Sequence, residues 1–351
     1  MKATTTARLL IALLIVGELT CIVLSQGRGG GGGGAPARGA GPAAQRGARG
    51  PAPARGARGP GAGRGANRGQ RGPEVKENLE PDNGLVTAYV TVTGKDHRAV
   101  PGLTRANFQI LEDGVEQDIE AFSVENGTIT VGFVVGGDPS EFRGIAPAFL
   151  TATPWNDEYF VLVDTGRPPG GTVIQNFTTD IQRVPKNFFI GGITADSVYV
   201  GLDYLKEAAN RRKLLLLFGG SLTADGTPSG GLDPNYVVRL ATRQGVQVYS
   251  ILTNNNGGTT FDDAGTSDIA PLTGGRNYTT LSASGTLESI AEEIASGLAV
   301  QYFIGYHTTN PEKDGKWRGI KVELIDAPEA LGKLSVWTRS GYYMDKEKKK
   351  K

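Results

Sequence analysis

The sequence predicts an α/β protein: a doubly wound, mainly parallel sheet flanked by N- and C-terminal β-strands that form a β-sandwich-like domain. Three observations predict it. The strand-like Ile129–Val135 is apolar from Val131 onward and ends in Gly136-Gly137-Asp138-Pro139-Ser140. Such a run reads as a strand buried on both faces, and the polar cluster at its carboxyl end is where open α/β sheets hold ligands. From Thr128 to Leu298 strand-like and helix-like segments alternate, the pattern of a parallel sheet. On either side of that stretch the chain reads as β structure.

The first 25 residues have the make-up of a secretory signal. Lys2 and Arg8 precede the mostly apolar Leu9–Leu24, and Ser25 places a small residue at the last position before a cut. The alternative is an uncleaved anchor, but Gly17 and Glu18 interrupt a run that would need about 20 apolar residues to span a bilayer. The chain is therefore expected outside the cytoplasm, secreted or in the periplasm or cell envelope. Cys21 is the only cysteine, so a cleaved chain has no disulfide and no thiolate metal site.

Residues 26–80 follow as a Gly/Ala/Arg/Pro-rich linker with too little apolar surface to offset the entropy of ordering. Nine Arg and no acid lie within 27–73, whereas residues 74–351 hold 26 Lys+Arg against 35 Asp+Glu, a net of −9. The tract lacks the interleaved aromatics of nucleic-acid-binding segments. Electrostatic contact with anionic envelope polymers or lipids suits it better, and a passive spacer is the simplest role. The Lys-rich end, 345–351, reads as a solvated tail.

The expected β block 83–127 holds Leu85–Val92 and, over Phe108–Phe122, two strands around Glu112-Asp113-Gly114, a hairpin turn. The α/β domain, 128–298, holds strands at Ile129–Val135, Glu158–Val163, Lys213–Phe218 and Val246–Leu252. Its helices are expected at Ala195–Ala208, Asn235–Gln244 and Leu287–Leu298. The last places Leu287, Ile290, Ile294 and Leu298 on one face, with Ser284 or Thr286 as its cap. A second β block, 299–344, carries Gln301–His307, Gly319–Ile325 and Leu334–Tyr343. The α/β domain then either interrupts one sandwich made by both β blocks or stands between two separate β appendages.

Several segments, taken in order, resemble the von Willebrand factor type A fold, a Rossmann-like doubly wound domain, and within it the bacterial VWFA-related (acidobacterial-type) exported proteins. They include Pro101-Gly-Leu-Thr-Arg-Ala-Asn-Phe-Gln-Ile-Leu-Glu-Asp-Gly114, Asn176-Phe-Thr-Thr-Asp180, Arg211-Arg-Lys-Leu-Leu-Leu-Leu217, Leu272-Thr-Gly-Gly-Arg276, Gln301-Tyr-Phe-Ile-Gly-Tyr306 and Thr338-Arg-Ser-Gly-Tyr-Tyr343. The resemblance covers roughly 84–344. It implies a protein-binding module whose three loops grip a divalent cation through Asp-x-Ser-x-Ser, a Thr and an Asp. Hard cations take oxygen ligands, with carboxylates supplying the neutralising charge.

Those ligands carry over poorly. Gly136 stands in the leading Asp slot, Asp138 in the first Ser slot, and Ser140 keeps the last. In the second loop Ile193 displaces Thr194, and in the third Phe218-Gly219-Gly220-Ser221 lacks the Asp. No metal, cofactor or catalytic residue is therefore assigned, and the site reads as degenerate, an uncharged shallow surface where any binding relies on backbone groups and apolar side chains. If a site for Mg²⁺ survives, Asp138, Ser140 and Thr194 are its candidates, with Asp225 near them.

The expected function is an exported, non-enzymatic interaction or adhesion module whose partner is a protein or envelope component. A metal-dependent binder with a divergent site is the first alternative. A hydrolase is the second, since Val163-Asp164-Thr165-Gly166 has the form of an aspartic-protease triplet. That chemistry needs two carboxylates sharing a proton, and no second triplet exists in the chain. His97 and His307 lack metal-ligand spacing and read as surface residues. The aromatic block Tyr302, Tyr306, Trp317, Trp337, Tyr342 and Tyr343 reads mainly as cross-strand packing.

Overall fold

The computed structural model describes residues 84–153, 157–164, 170–188, 191–220, 231–253, 268–280 and 286–346, all within the compact unit Asn67–Lys351. The expected signal, the Arg-rich linker, Asp225, Ser284 and residues 347–351 of the tail lie outside the described residues.

The chain opens with β1 (Leu85–Thr93), β2 (Phe108–Glu112), β3 (Val115–Gln117) and β4 (Ala121–Glu125). It continues through β5 (Ile129–Val135), α1 (Pro139–Ala152), β6 (Glu158–Asp164), β7 (Gly171–Thr178), α2 (Ala195–Tyr204), β8 (Arg212–Phe218), α3 (Pro234–Gln244), β9 (Gln247–Leu252), α4 (Ile269–Thr273), β10 (Asn277–Thr279) and α5 (Leu287–Leu298). It closes with β11 (Gln301–His307), β12 (Trp317–Leu324), β13 (Ser335–Trp337) and β14 (Gly341–Tyr343).

Strands β5 to β10 form one sheet in the order β10-β9-β8-β5-β6-β7. Every neighbouring pair is parallel except β6 and β7. This is the doubly wound, mainly parallel sheet that the alternation predicts, with β5 at its centre. The leucines of β8 show why its sequence lacks polar alternation. Leu214 and Leu216 pack in the cluster under α1 and α5, while Leu215 and Leu217 pack in the cluster under α2 and α3. Both faces are covered, so all four of these positions are apolar. Phe133, fully buried, meets Phe142, Phe149 and Tyr159 edge-on; burial of such a ring contributes about 1.5–3 kcal/mol.

The two flanking blocks interleave. β1 pairs antiparallel with β11 from Leu85↔His307 to Val90↔Tyr302, and β4 pairs with the other side of β11 from Ala121↔Gly305 to Glu125↔Gln301. The first sheet runs β13-β1-β11-β4 and the second β14-β12-β2-β3. Val90, Val92, Phe108, Ile110, Tyr302, Ile304 and Tyr306 share the core of this sandwich. Glu112 is buried there and accepts from the hydroxyls of Tyr306 (2.8 Å) and Tyr342 (2.9 Å), which offsets the cost of hiding a charge.

Several boundaries differ from those expected. The second hairpin strand does not run on to Phe122. It stops at Gln117, and after three residues the chain crosses to the other sheet as β4. The segment 334–343 likewise divides into β13 and β14, one in each sheet. The helix at 195 ends at Tyr204 and tightens into a 3₁₀ turn over Leu205–Glu207. Helix α1 had no counterpart in the expected elements. Phe142, Ile145, Ala146, Phe149 and Leu150 do fall on one face, although Pro147 sits inside it. Thr286 caps α5 and accepts from the Ser289 amide.

One buried side chain ties the α/β domain to the sandwich. Arg212, at the start of β8, donates to the carbonyls of Gly127 (2.7 Å) and Leu298 (2.6 Å), the residues where the chain enters and leaves the α/β domain. It also donates to Gln301 Oε1 at 2.9 Å, and Gln301 Nε2 donates in turn to Thr91 and Gln247.

Candidate functional site

Three loops meet at the carboxyl ends of β5, β6 and β8. In the first, Asp138 caps α1: its Oδ1 accepts from the Ser140 amide (2.6 Å) and the Ser140 hydroxyl (2.5 Å). Pro139 occupies the first helical position, where a missing N–H costs nothing. The Ser140 hydroxyl, then its amide, hold the Asp138 carboxyl below the usual carboxylate range. Asp138 is half-buried and Ser140 exposed.

In the second loop, Thr194 caps α2. Its hydroxyl accepts from the Ser197 amide (3.2 Å) and donates to Asp164 Oδ2 at 2.5 Å. Asp164 ends β6 and is fully buried, and its carbonyl accepts from the Gly191 amide at 2.6 Å. Thr165 and Gly166 of the triplet lie outside the described residues.

The third loop closes against the first. The amides of Gly136 and Gly137 both donate to the Phe218 carbonyl, at 2.8 and 3.0 Å, and the Gly219 amide donates to the Ile251 carbonyl at 2.8 Å. Gly219 takes a φ of +88°, and a Cβ built on it would lie 2.1 Å from the Cα of Gly137. A Cβ on Gly136 would lie 2.6 Å from the carbonyl carbon of Gly192. The glycines at 136, 137, 192 and 219 let the three loops pack backbone on backbone.

This corrects the expectation of a shallow surface offering backbone groups. Gly136 and Gly137 are buried, and the amides of Gly136, Gly137, Gly191 and Gly219 are already satisfied by the protein's own carbonyls. The three candidate ligands do not act as one set. Asp138 and Ser140 bond each other in one capping turn, and Thr194 serves Asp164 and its own helix. A divalent ion does not fit these residues. Asp138 Oδ1 already takes two donors, the Asp164 carboxylate is buried and bonded by the Thr194 hydroxyl, and a carboxylate at position 136 has no room beside Gly192. Among the described residues no three His, Cys, Asp or Glu side chains gather as a metal-binding group.

Two features escaped the sequence reading. Asp196, in the first turn of α2, accepts from the Leu232 amide at 2.9 Å and is crowded by Gly170 and Gly231. Buried Asp164, at the end of β6, and half-buried Thr194, the cap of α2, are bonded across the site. Gly-Gly doublets at 136, 170, 191, 219 and 230 were the available signal: paired glycines mark places where backbones approach too closely for a Cβ. His97 and His307 are surface residues, 3.2 Å from Glu293 and 2.9 Å from Glu120.

No family model and no curated protein matches the chain. Solved structures with similarity include proximal thread matrix protein 1 from the mussel byssus, at 15% identity and TM-score 0.37. The match covers 52% of this chain and 49% of the mussel protein, so this chain spans about half the length of that one. A von Willebrand factor type A structure from Catenulispora acidiphila is 9% identical over 76% of each chain, with TM-score 0.37. The ArnB paralog VWA2 from Sulfolobus acidocaldarius is 9% identical over 73% of this chain and 76% of its own, with TM-score 0.30.

Proposed function

We propose that this chain is an exported, non-enzymatic interaction or adhesion module on a von Willebrand type A-like scaffold, and that it binds a protein or cell-envelope component without a metal ion. The close approach of Gly136 to Gly192 carries the reading, because it occupies the place of the leading carboxylate with backbone. The central position of β5 and the strand order around it support the scaffold assignment. The signal-like residues 1–25 motivate export, and the Arg-rich linker motivates electrostatic contact with an anionic envelope.

Calorimetry with Mg²⁺, Mn²⁺ and Ca²⁺ separates this reading from a metal-dependent binder: silence with all three is expected, and a heat lost in Asp138→Ala would reverse it. Capture from an envelope fraction tests the loop face. Prey retained in full when residues 136–140 are replaced would show that this face is not used. The burial of Asp164 beneath Thr194 argues against a hydrolase; acid-pH peptide cleavage that disappears in Asp164→Asn would restore it.

A further inference from the structure

The sandwich carries a second feature, apart from the loops at the carboxyl edge. β3 is the outer strand of the sheet β14-β12-β2-β3. Asp113 and Gly114, at φ 48° and 83°, close the β2–β3 hairpin as a two-residue turn with both central residues at positive φ. The residues flanking such a turn, here Glu112 and Val115, form a hydrogen-bonded pair. Alternation along an antiparallel ladder makes Leu111 and Glu116 the non-hydrogen-bonded pair, so the N–H and C=O of Glu116 point away from β2.

Beside that strand lies an open groove of about 560 Å³. Phe108, Ile119 and Ile325 give it apolar lining, and Ile325 stays 39% exposed. Glu116 and Asp118 also line it; both are exposed and alternate with buried Gln117 and Ile119. Glu120, the next in this alternation, bonds His307, but among the described residues no salt bridge reaches Glu116 or Asp118. Arg105 is the one cation in the lining. From Ala106 to Phe142 the chain has eight Asp+Glu and no Lys or Arg. Edge strands are commonly guarded by shortness, charge, Pro or a covering loop; this one is short and bears acids only, beside an apolar trough.

We propose that β3 takes up an extended cationic peptide from a partner protein as an added strand. Lys or Arg at alternate positions would face Glu116 and Asp118, and small apolar residues between them would cover Phe108, Ile119 and Ile325. Main-chain bonds to Glu116 supply part of the affinity and the alternation supplies selectivity. The proposal goes beyond the loop-face reading and does not depend on it.

Fluorescence anisotropy with the full chain and a short labelled peptide of alternating Lys and Val tests it. Saturable binding is expected, about tenfold weaker or worse when Glu replaces Lys in the peptide or when the protein carries Glu116→Lys with Asp118→Lys. A peptide N-methylated on alternate amides, tested on the unaltered protein, should lose binding to a similar degree in one of the two methylation registers. No saturable binding, equal affinity for the acidic peptide, or unchanged affinity after charge reversal overturns the proposal. Full retention by both N-methylated peptides overturns strand addition even if charge matters.

Discussion

Arg212 and Leu298 are joined by a buried 2.6 Å hydrogen bond from the guanidinium to the carbonyl at the end of α5. The same guanidinium holds Gly127 and Gln301, so one side chain fastens both crossings between the α/β domain and the sandwich. Arg212→Met leaves two buried acceptors, the Leu298 carbonyl and Gln301 Oε1, and the more exposed Gly127 carbonyl without this donor. At about 1–3 kcal/mol for each buried one, the variant should lose at least about 2 kcal/mol. Urea midpoints followed by circular dichroism measure this. Arg212→Lys should recover little, because one ammonium lacks the planar fork that reaches all three; a midpoint equal to the unaltered protein's would contradict the clasp.

Gly219 and Gly114 make a matched pair for testing loop closure. Both have positive φ, +88° and +83°, but a Cβ on Gly114 meets nothing within 4 Å. Gly114→Ala should cost about 1 kcal/mol, the backbone penalty alone. Gly219→Ala adds a collision with the Gly137 backbone and should cost at least about 3 kcal/mol or prevent folding. Similar thermal midpoints for the two would show that the loops are not tightly packed.

Gly136→Asp places a carboxylate at the carboxyl end of β5. Because the new Cβ would meet the Gly192 carbonyl at 2.6 Å, the variant should be destabilised by about 2–4 kcal/mol and gain no Mg²⁺ affinity. A stable variant that binds Mg²⁺ in a titration would mean that the loops can open.

Asp157 supplies a pH signature. Its Oδ1 accepts from the Ile129 amide at 2.9 Å, and burial raises its carboxyl above the ordinary value. A carboxyl raised on folding adds stability that is fully present below its unfolded value and lost as pH rises through its folded value. Asp157→Asn keeps the acceptor and removes the charge. Its stability relative to the parent should therefore rise as pH climbs from the acid range to neutrality. A difference that stays flat across that range would remove Asp157 as the titrating group.

The sheet was legible because Val131–Val135 and Leu214–Phe218 lack polar alternation, the pattern of a strand covered on both faces. Helix α5 was legible through Leu287, Ile290, Ile294 and Leu298. Helix α1 was hidden by Pro147, which reads locally as a breaker but is tolerated where Phe142, Ile145 and Phe149 bury a full face. The glycine-rich make-up of the three loops was also legible, residue by residue. Its physical outcome was not, since the approach of Gly136 to Gly192 and of Gly219 to Gly137 joins segments far apart in the chain. The groove beside β3 depends in the same way on Ile325, which sequence order places two hundred residues from its neighbours.

Glu125 and Gln301 face each other across β4 and β11, so the polypeptide departs from the sandwich and rejoins it at a single junction. Tension drawn along the backbone from outside passes through those paired strands. The central sheet hangs as a closed side branch off the load path, shielded from stretching until the sandwich itself shears.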